Sequence, residues 1–223
     1  MLLAIAGCGR IGFGGSDVDA GDGLVARYAM DNDATGGEVP ATPAALSAHC
    51  APCPAPSSGR IGAGYQLDGT QRVTLPSSTL IGLAPFTTAV WVKPSASGAL
   101  YSVISKPLNT TSVNNVFSLT IRGDTGEVAY ESTDGAFAAT GIDVRGAWHH
   151  LAASWDGTTR RLYIDGALVG SRGGAFGDSA IEIAFGADLD ANAPDIFYVG
   201  TLDDLRFYGR ALSDGELAGL AMP

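Results

Sequence analysis

Turn chemistry constrains this chain more than any other feature of its sequence. Short apolar and β-branched runs are punctuated by Asp-Gly pairs at Asp68-Gly69, Asp156-Gly157 and Asp165-Gly166. In such pairs glycine takes positive φ at no steric cost and aspartate bonds its own backbone. With 31 glycines and 11 prolines in 223 residues, long helices are disfavoured and short strands joined by tight turns are favoured. Strands are expected at 24–28, 65–67, 72–75, 86–92, 101–106, 116–121, 127–130, 148–155, 160–164, 168–169, 181–185 and 198–208. Phe117, Leu119 and Ile121 alternate onto one face, as do Leu151, Ala153 and Trp155, opposite His150, Ala152 and Ser154. Ser213 and Glu216 then stand at capping-box spacing ahead of Leu217 and Leu220, which predicts a short closing helix. The pattern is that of an all-β, two-sheet antiparallel sandwich with a short C-terminal helix.

The first residues read Met-Leu-Leu-Ala-Ile-Ala-Gly-Cys. Ile5-Ala6-Gly7-Cys8 resembles the lipobox of bacterial lipoproteins, which implies a signal remnant over 1–7, lipidation of Cys8 and a place in the bacterial cell envelope or outside the cell. The competing reading is a short apolar terminus with an incidental cysteine. Residues 8–23, rich in glycine and carrying Asp17, Asp19 and Asp22, bury too little apolar surface to order themselves and read as a tether. A single folded domain is expected over 24–221. Within it, 31–58 is a long irregular excursion, either a binding loop or a segment fastened by cysteines.

Cys50 and Cys53 lie beside His49 among Pro52, Pro54 and Pro56. A redox pair would need the N-terminus of a helix to tune its thiolate, and a zinc site would need a second ligand pair. The reading adopted is a local disulfide in an oxidising compartment. Acidic residues outnumber basic ones by 23 to 13, for a net charge of −10, and the only lysines are Lys93 and Lys106. A surface of that sign repels a polyanion, so nucleic acid is not an expected partner. Solvated carboxylates and cation binding both account for the acidity.

Several pieces in order, Tyr65 to Gly69, Phe86 to Pro94, Ile104-Ser105-Lys106, Trp148 to Gly157, Arg161 to Gly166 and Gly200 to Ser213, resemble the laminin-G-like, concanavalin A-like lectin family. The resemblance implies a jelly-roll sandwich that binds carbohydrates, proteins or other extracellular surfaces, in several members with calcium. It maps a calcium onto Asp31 and Asp203, with turn capping as the competing role. Sugar binding calls for a solvent-facing ring against a pyranose, and Tyr101, Tyr130, Phe137 and Tyr198 are the candidates near strand ends.

Catalytic relatives carry a Glu-x-Asp-x-x-Glu strand. No stretch here has it: Glu127 and Glu131 are four apart, Glu182 stands alone, and Asp203 and Asp204 are adjacent, so that on a regular strand they face opposite ways. His149 and His150 have no serine or cysteine partner recognisable in the sequence. The expected function is therefore a non-enzymatic, carbohydrate-binding module acting on an extracellular glycan or surface protein. A structural or protein-adhesion module is the first alternative and a glycoside hydrolase the second.

Overall fold

The computed structural model describes residues 23–75, 80–82, 84–96, 100–109, 114–188 and 196–222. The lipobox-like run, Cys8 and nearly all of the expected tether lie outside them. In chain order the described elements are β1 (Leu24–Tyr28), β2 (Glu38–Val39), β3 (Ala48–Cys50), β4 (Ala55–Ser58), β5 (Ala63–Asp68), β6 (Val73–Leu75), β7 (Phe86–Pro94), β8 (Leu100–Pro107), β9 (Asn115–Arg122), β10 (Val128–Ser132), β11 (Gly135–Ala138), β12 (His149–Trp155), β13 (Thr159–Ile164), β14 (Ala167–Gly173), β15 (Ile183–Phe185), β16 (Val199–Tyr208) and the helix α1 (Asp214–Leu220).

They form two antiparallel sheets. Sheet A runs β14-β13-β12-β7-β16-β5-β4, with β1 also paired to β16, and sheet B runs β11-β10-β9-β8-β15-β6-β3-β2. The alternation read from the sequence decides the interior: Val90 and Val92 of β7, Leu151, Ala153 and Trp155 of β12, and Phe117, Leu119 and Ile121 of β9 all belong to one buried core. Full burial of each large apolar side chain is worth about 1.5–3 kcal/mol. No helix among the described residues is long and apolar enough to cross a membrane.

Two local features depart from the sequence reading. The excursion 31–58 is not wholly irregular: β2 and β3 extend sheet B, β4 extends sheet A, and the segment thereby ties the two sheets together. Its prolines hid this, since proline is tolerated at sheet edges, where a missing N–H breaks no ladder. Within it, Cys50 and Cys53 form the expected disulfide. The second departure is a bulge in β16. Asp203 is opposite Trp91 while Arg206 is opposite Ala89, and Asp204 takes a φ of 49°. One extra residue thus sits between these pairs and cancels the simple alternation expected of Asp203 and Asp204.

The outer face of sheet A is divided. Over one half, Ala89, Ala152, Tyr163 and Tyr208 meet Leu212, Leu217 and Leu220 in a second apolar cluster. Ser213 and Glu216 make the expected capping box at the start of α1. Thr87 fastens the approach, its Oγ1 donating to the Arg210 carbonyl at 2.9 Å and accepting from the Leu212 N–H at 2.9 Å. Over the other half there is no helix among the described residues.

Candidate functional site

On that open half, register places His150, Trp91 and Asp203 side by side across β12, β7 and β16. All three are almost wholly buried. The ring of His150 meets Trp91 edge-on at 5.2 Å. Asp203 holds the turn between β4 and β5: its Oδ2 accepts from the Arg60 and Ile61 N–H groups at 2.7 and 2.8 Å. Asp31 grips the same turn, its Oδ1 accepting from the Ala63 N–H at 2.9 Å. A Cβ at Gly59 would lie 2.6 Å from Asp203 Oδ2 and 2.0 Å from the Ala63 carbonyl oxygen, so only glycine admits this close approach. The turn carries the Arg60 guanidinium to 5.0 Å above the Trp91 ring.

The electrostatics of this row are unusual. Burial pushes the Asp203 carboxyl up to about 6, aided by the negative charges of Asp204 and Asp31 and opposed by the two backbone N–H groups. Burial likewise pushes His150 down to about 4, with Asp204 and Asp165 opposing and Arg206 assisting. Asp203 Oδ1, His150 Nδ1 and Trp91 Nε1 are buried without a hydrogen-bond partner among the described residues. The bulge brings Asp204 into this field, where it pairs with Arg27 at 2.6 Å and Arg206 at 2.8 Å.

Two residues along β7 from Trp91, on the same face, lies Lys93, opposite Thr201. It borders an open depression of about 480 Å³ whose lining includes Ser57, Ser58, Gln66, Ser95 and Thr201. That volume falls in the range of small-ligand sites, roughly 300–1,000 Å³. The Gln66 carboxamide is pre-oriented, its oxygen accepting from Thr201 Oγ1 at 3.0 Å and its nitrogen donating to the Leu67 carbonyl at 3.0 Å. A smaller hollow of about 180 Å³ lies beside the disulfide on sheet B, lined by His49, Cys50, Ala51, Arg72 and Thr74.

Three of the four aromatic candidates are corrected. Tyr101 is 1 % exposed and Tyr130 and Tyr198 are 0 % exposed, so their faces are closed to a sugar. Cross-strand register explains why: Tyr101 lies opposite Ile121 and Tyr130 opposite Leu119, both inward-facing core residues. Tyr198 meets Tyr101 edge-on at 5.9 Å and donates to the Thr201 carbonyl at 3.1 Å. Phe137 is part-buried against Tyr130. The sequence reading overlooked Trp91, Arg60 and the polar groove. It also overlooked the meeting of Glu131 with Asp188, where burial and the Asp188 charge raise the Glu131 pKa and Asn115 Nδ2 donates to Asp188 Oδ2 at 3.0 Å.

Asp31 and Asp203, paired on family resemblance alone, do meet at one turn, and each serves there as a backbone acceptor. Among the described residues no group of three or more His, Cys, Asp or Glu side chains is placed to hold a metal. A hard cation at Asp203 would therefore depend on backbone carbonyls and water for most of its six to eight oxygens. The buried, unpartnered Oδ1 is the atom such a cation would satisfy.

A family model described as the concanavalin A-like lectin/glucanases superfamily matches residues 67–218. No curated protein matches the sequence. Among solved structures, the chain resembles domain 4 of a GH43 extracellular arabinanase from Geobacillus stearothermophilus, solved in complex with arabinotriose, with a TM-score of 0.67 at 22 % identity over 89 % of this chain and 98 % of that one. It resembles the CBM40 of the Ruminococcus gnavus IT-sialidase, bound to α2,3-sialyllactose, with a TM-score of 0.60 at 20 % identity over 71 % and 95 %. A mutant Trypanosoma rangeli sialidase displaying trans-sialidase activity aligns with a TM-score of 0.71 at 16 % identity over 91 % of this chain, which spans only 33 % of that enzyme. At these identities the likeness is one of fold.

Proposed function

From the premise that this chain belongs to the concanavalin A-like lectin/glucanases superfamily, we propose that it is an extracellular or envelope-anchored carbohydrate-binding module. Its ligand lies in the groove of Lys93, Gln66 and Thr201 on the open half of sheet A. The observation that carries the reading is the pre-oriented Gln66 amide in an open polar depression. Hydroxyls, amides and an ammonium suit the dense donors and acceptors of a sugar, and a fixed amide loses little entropy on binding. The arabinotriose and sialyllactose complexes of the two similar domains lend support by analogy.

Calcium belongs to the same proposal. Asp203 and Asp31 would hold it, and it would neutralise the buried carboxylate and fasten the turn that carries Arg60. A second reading, hydrolysis, has the proximity of Glu131 and Asp188 in its favour, since a raised carboxyl beside another carboxylate is the form of a glycosidase acid.

Titration calorimetry against oligosaccharides, with product analysis of each mixture, tests both readings. Gln66→Ala and Thr201→Ala are expected to weaken binding about fivefold each, the scale of one lost hydrogen bond, with the glycan recovered intact. Binding indifferent to both substitutions would remove the groove from consideration. Cleavage abolished by Glu131→Gln would make the chain a hydrolase.

A further inference from the structure

We propose that the ligand of this groove is an acidic glycan, a sugar chain bearing carboxylates, recognised by Lys93 and Arg60. The inference rests on the glycan-binding reading above and adds a charge to the ligand. Positive charge is scarce in this protein, and most of it is already neutralised. Lys106 is wholly buried and bonded to Asp178 at 2.6 Å. Arg145, Arg161 and Arg210 pair with Asp143, Asp156 and Glu216, and Arg160 pairs with Asp134. Arg27 and Arg206 share Asp204.

Lys93 and Arg60 are different. Both are exposed, and neither makes an ion pair with a carboxylate among the described residues. They also stand on the same stretch of surface, because the Arg60 guanidinium lies over Trp91 and Lys93 follows Trp91 by two residues on the same face, roughly 7 Å along the strand. Arg72 and Arg122, by contrast, belong to sheet B and its connections, and Arg172, on the edge strand β14 of sheet A, donates to the Ala136 and Asp134 carbonyls at 2.9 and 3.2 Å.

In a chain of net charge −10, an anion meets repulsion over most of the surface and attraction where two cations without a carboxylate partner stand together, as Lys93 and Arg60 do beside the groove. A neutral sugar would draw hydrogen bonds from that arrangement but no Coulombic attraction. The Arg60 guanidinium over the Trp91 ring makes no hydrogen bond to a side chain or backbone group among the described residues, and its fork of N–H donors suits a carboxylate better than a hydroxyl. Gln66, Thr201, Ser57 and Ser58 then remain for the hydroxyls of the same or the next sugar.

Two matched pairs of oligosaccharides separate charge from sugar binding: tetragalacturonate against its fully methyl-esterified form, and 3′-sialyllactose against lactose. Calorimetry of the full chain at 50 mM and 300 mM salt should show, in at least one pair, the acid bound about tenfold tighter than its neutral counterpart, an advantage that shrinks with salt. Lys93→Ala should remove most of this advantage and Lys93→Arg should retain it. Arg60→Ala should lower affinity for the acid and leave the neutral probe unchanged. Equal binding within both pairs would overturn the acidic ligand while the glycan reading stands. Binding of the acid unaffected by Lys93→Ala and Arg60→Ala would overturn these residues as its recognition site. No binding of any of the four probes would overturn both readings.

Discussion

The two halves of sheet A's outer face are built on the same strands, β12, β7 and β16, and differ in what covers them. On the sealed half, alanines at 89 and 152 leave room for α1, and Tyr163 and Tyr208 pack around its leucines. On the open half, Trp91, His150 and Asp203 occupy the equivalent positions two residues along, followed by Lys93 and Thr201. Small apolar residues invite a helix and stabilise the sandwich. On the open half no helix among the described residues lies over the sheet: the turn that carries Arg60 lies over Trp91, and the depression bordered by Lys93, Gln66 and Thr201 beyond it stays available to a ligand.

The sealed half should break most visibly. Leu217 is 0 % exposed, and Leu217→Ala is expected to cost about 2–5 kcal/mol through lost burial and a residual cavity. Denaturant unfolding measures it. A cost under about 1 kcal/mol would show that α1 contributes little and that the contrast between the halves is misplaced.

The open half should reveal itself through pH, studied in EDTA so that no metal intervenes. The raised Asp203 carboxyl keeps its proton longer in the native state than in the unfolded chain, so its contribution declines as pH rises from about 4 to about 6. The depressed His150 stays neutral in the native state while the unfolded chain takes up a proton, so its contribution is lost as pH falls from about 6.5 to about 4. Each is on the order of 3 kcal/mol, and over this window they oppose each other. Relative to wild type, Asp203→Asn should become more stable as pH rises between 4 and 6, and His150→Phe should become less stable over the same interval. Parallel curves for all three proteins would deny the coupling. Restoring calcium at pH 7 should raise the wild-type melting temperature, magnesium should raise it less, and Asp203→Asn should blunt the response. Equal shifts by both ions, unchanged in the variant, would remove the cation from the proposal.

The smallest effect sharpens the comparison from the other side. Lys93→Ala removes an exposed side chain without an ion pair among the described residues, so its unfolding free energy should stay within about 0.5 kcal/mol of wild type even where binding to an acidic glycan is lost. A larger loss of stability would mean that Lys93 supports the fold rather than the ligand.

Sequence and structure divided the work unevenly along particular elements. The alternation of Phe117, Leu119 and Ile121 and the capping box of Ser213 and Glu216 were legible because both depend on neighbours within a few residues. The same alternation, carried across strands, was needed to see that Tyr101 and Tyr130 point inward, and no single strand discloses its partner's register. The bulge at Asp204 escaped notice for a related reason. An extra residue is defined only against the opposing strand, and Asp-Asp-Leu alone does not signal one.

By itself, then, the sequence determined an antiparallel sandwich of turn-linked strands closed by a short helix, since turn residues and period-two burial are local and independent of partners. Only the tertiary structure decided which carboxylates meet and where the unneutralised cations stand. Asp203 reaches Arg60 and Ile61 across more than 140 positions of chain, and Arg60 lies over Trp91 because of that grip and not because of any motif of its own. Charge and pKa depend on distance in space, and in a sheet built largely from pairings remote in sequence that distance exists only once the fold is complete.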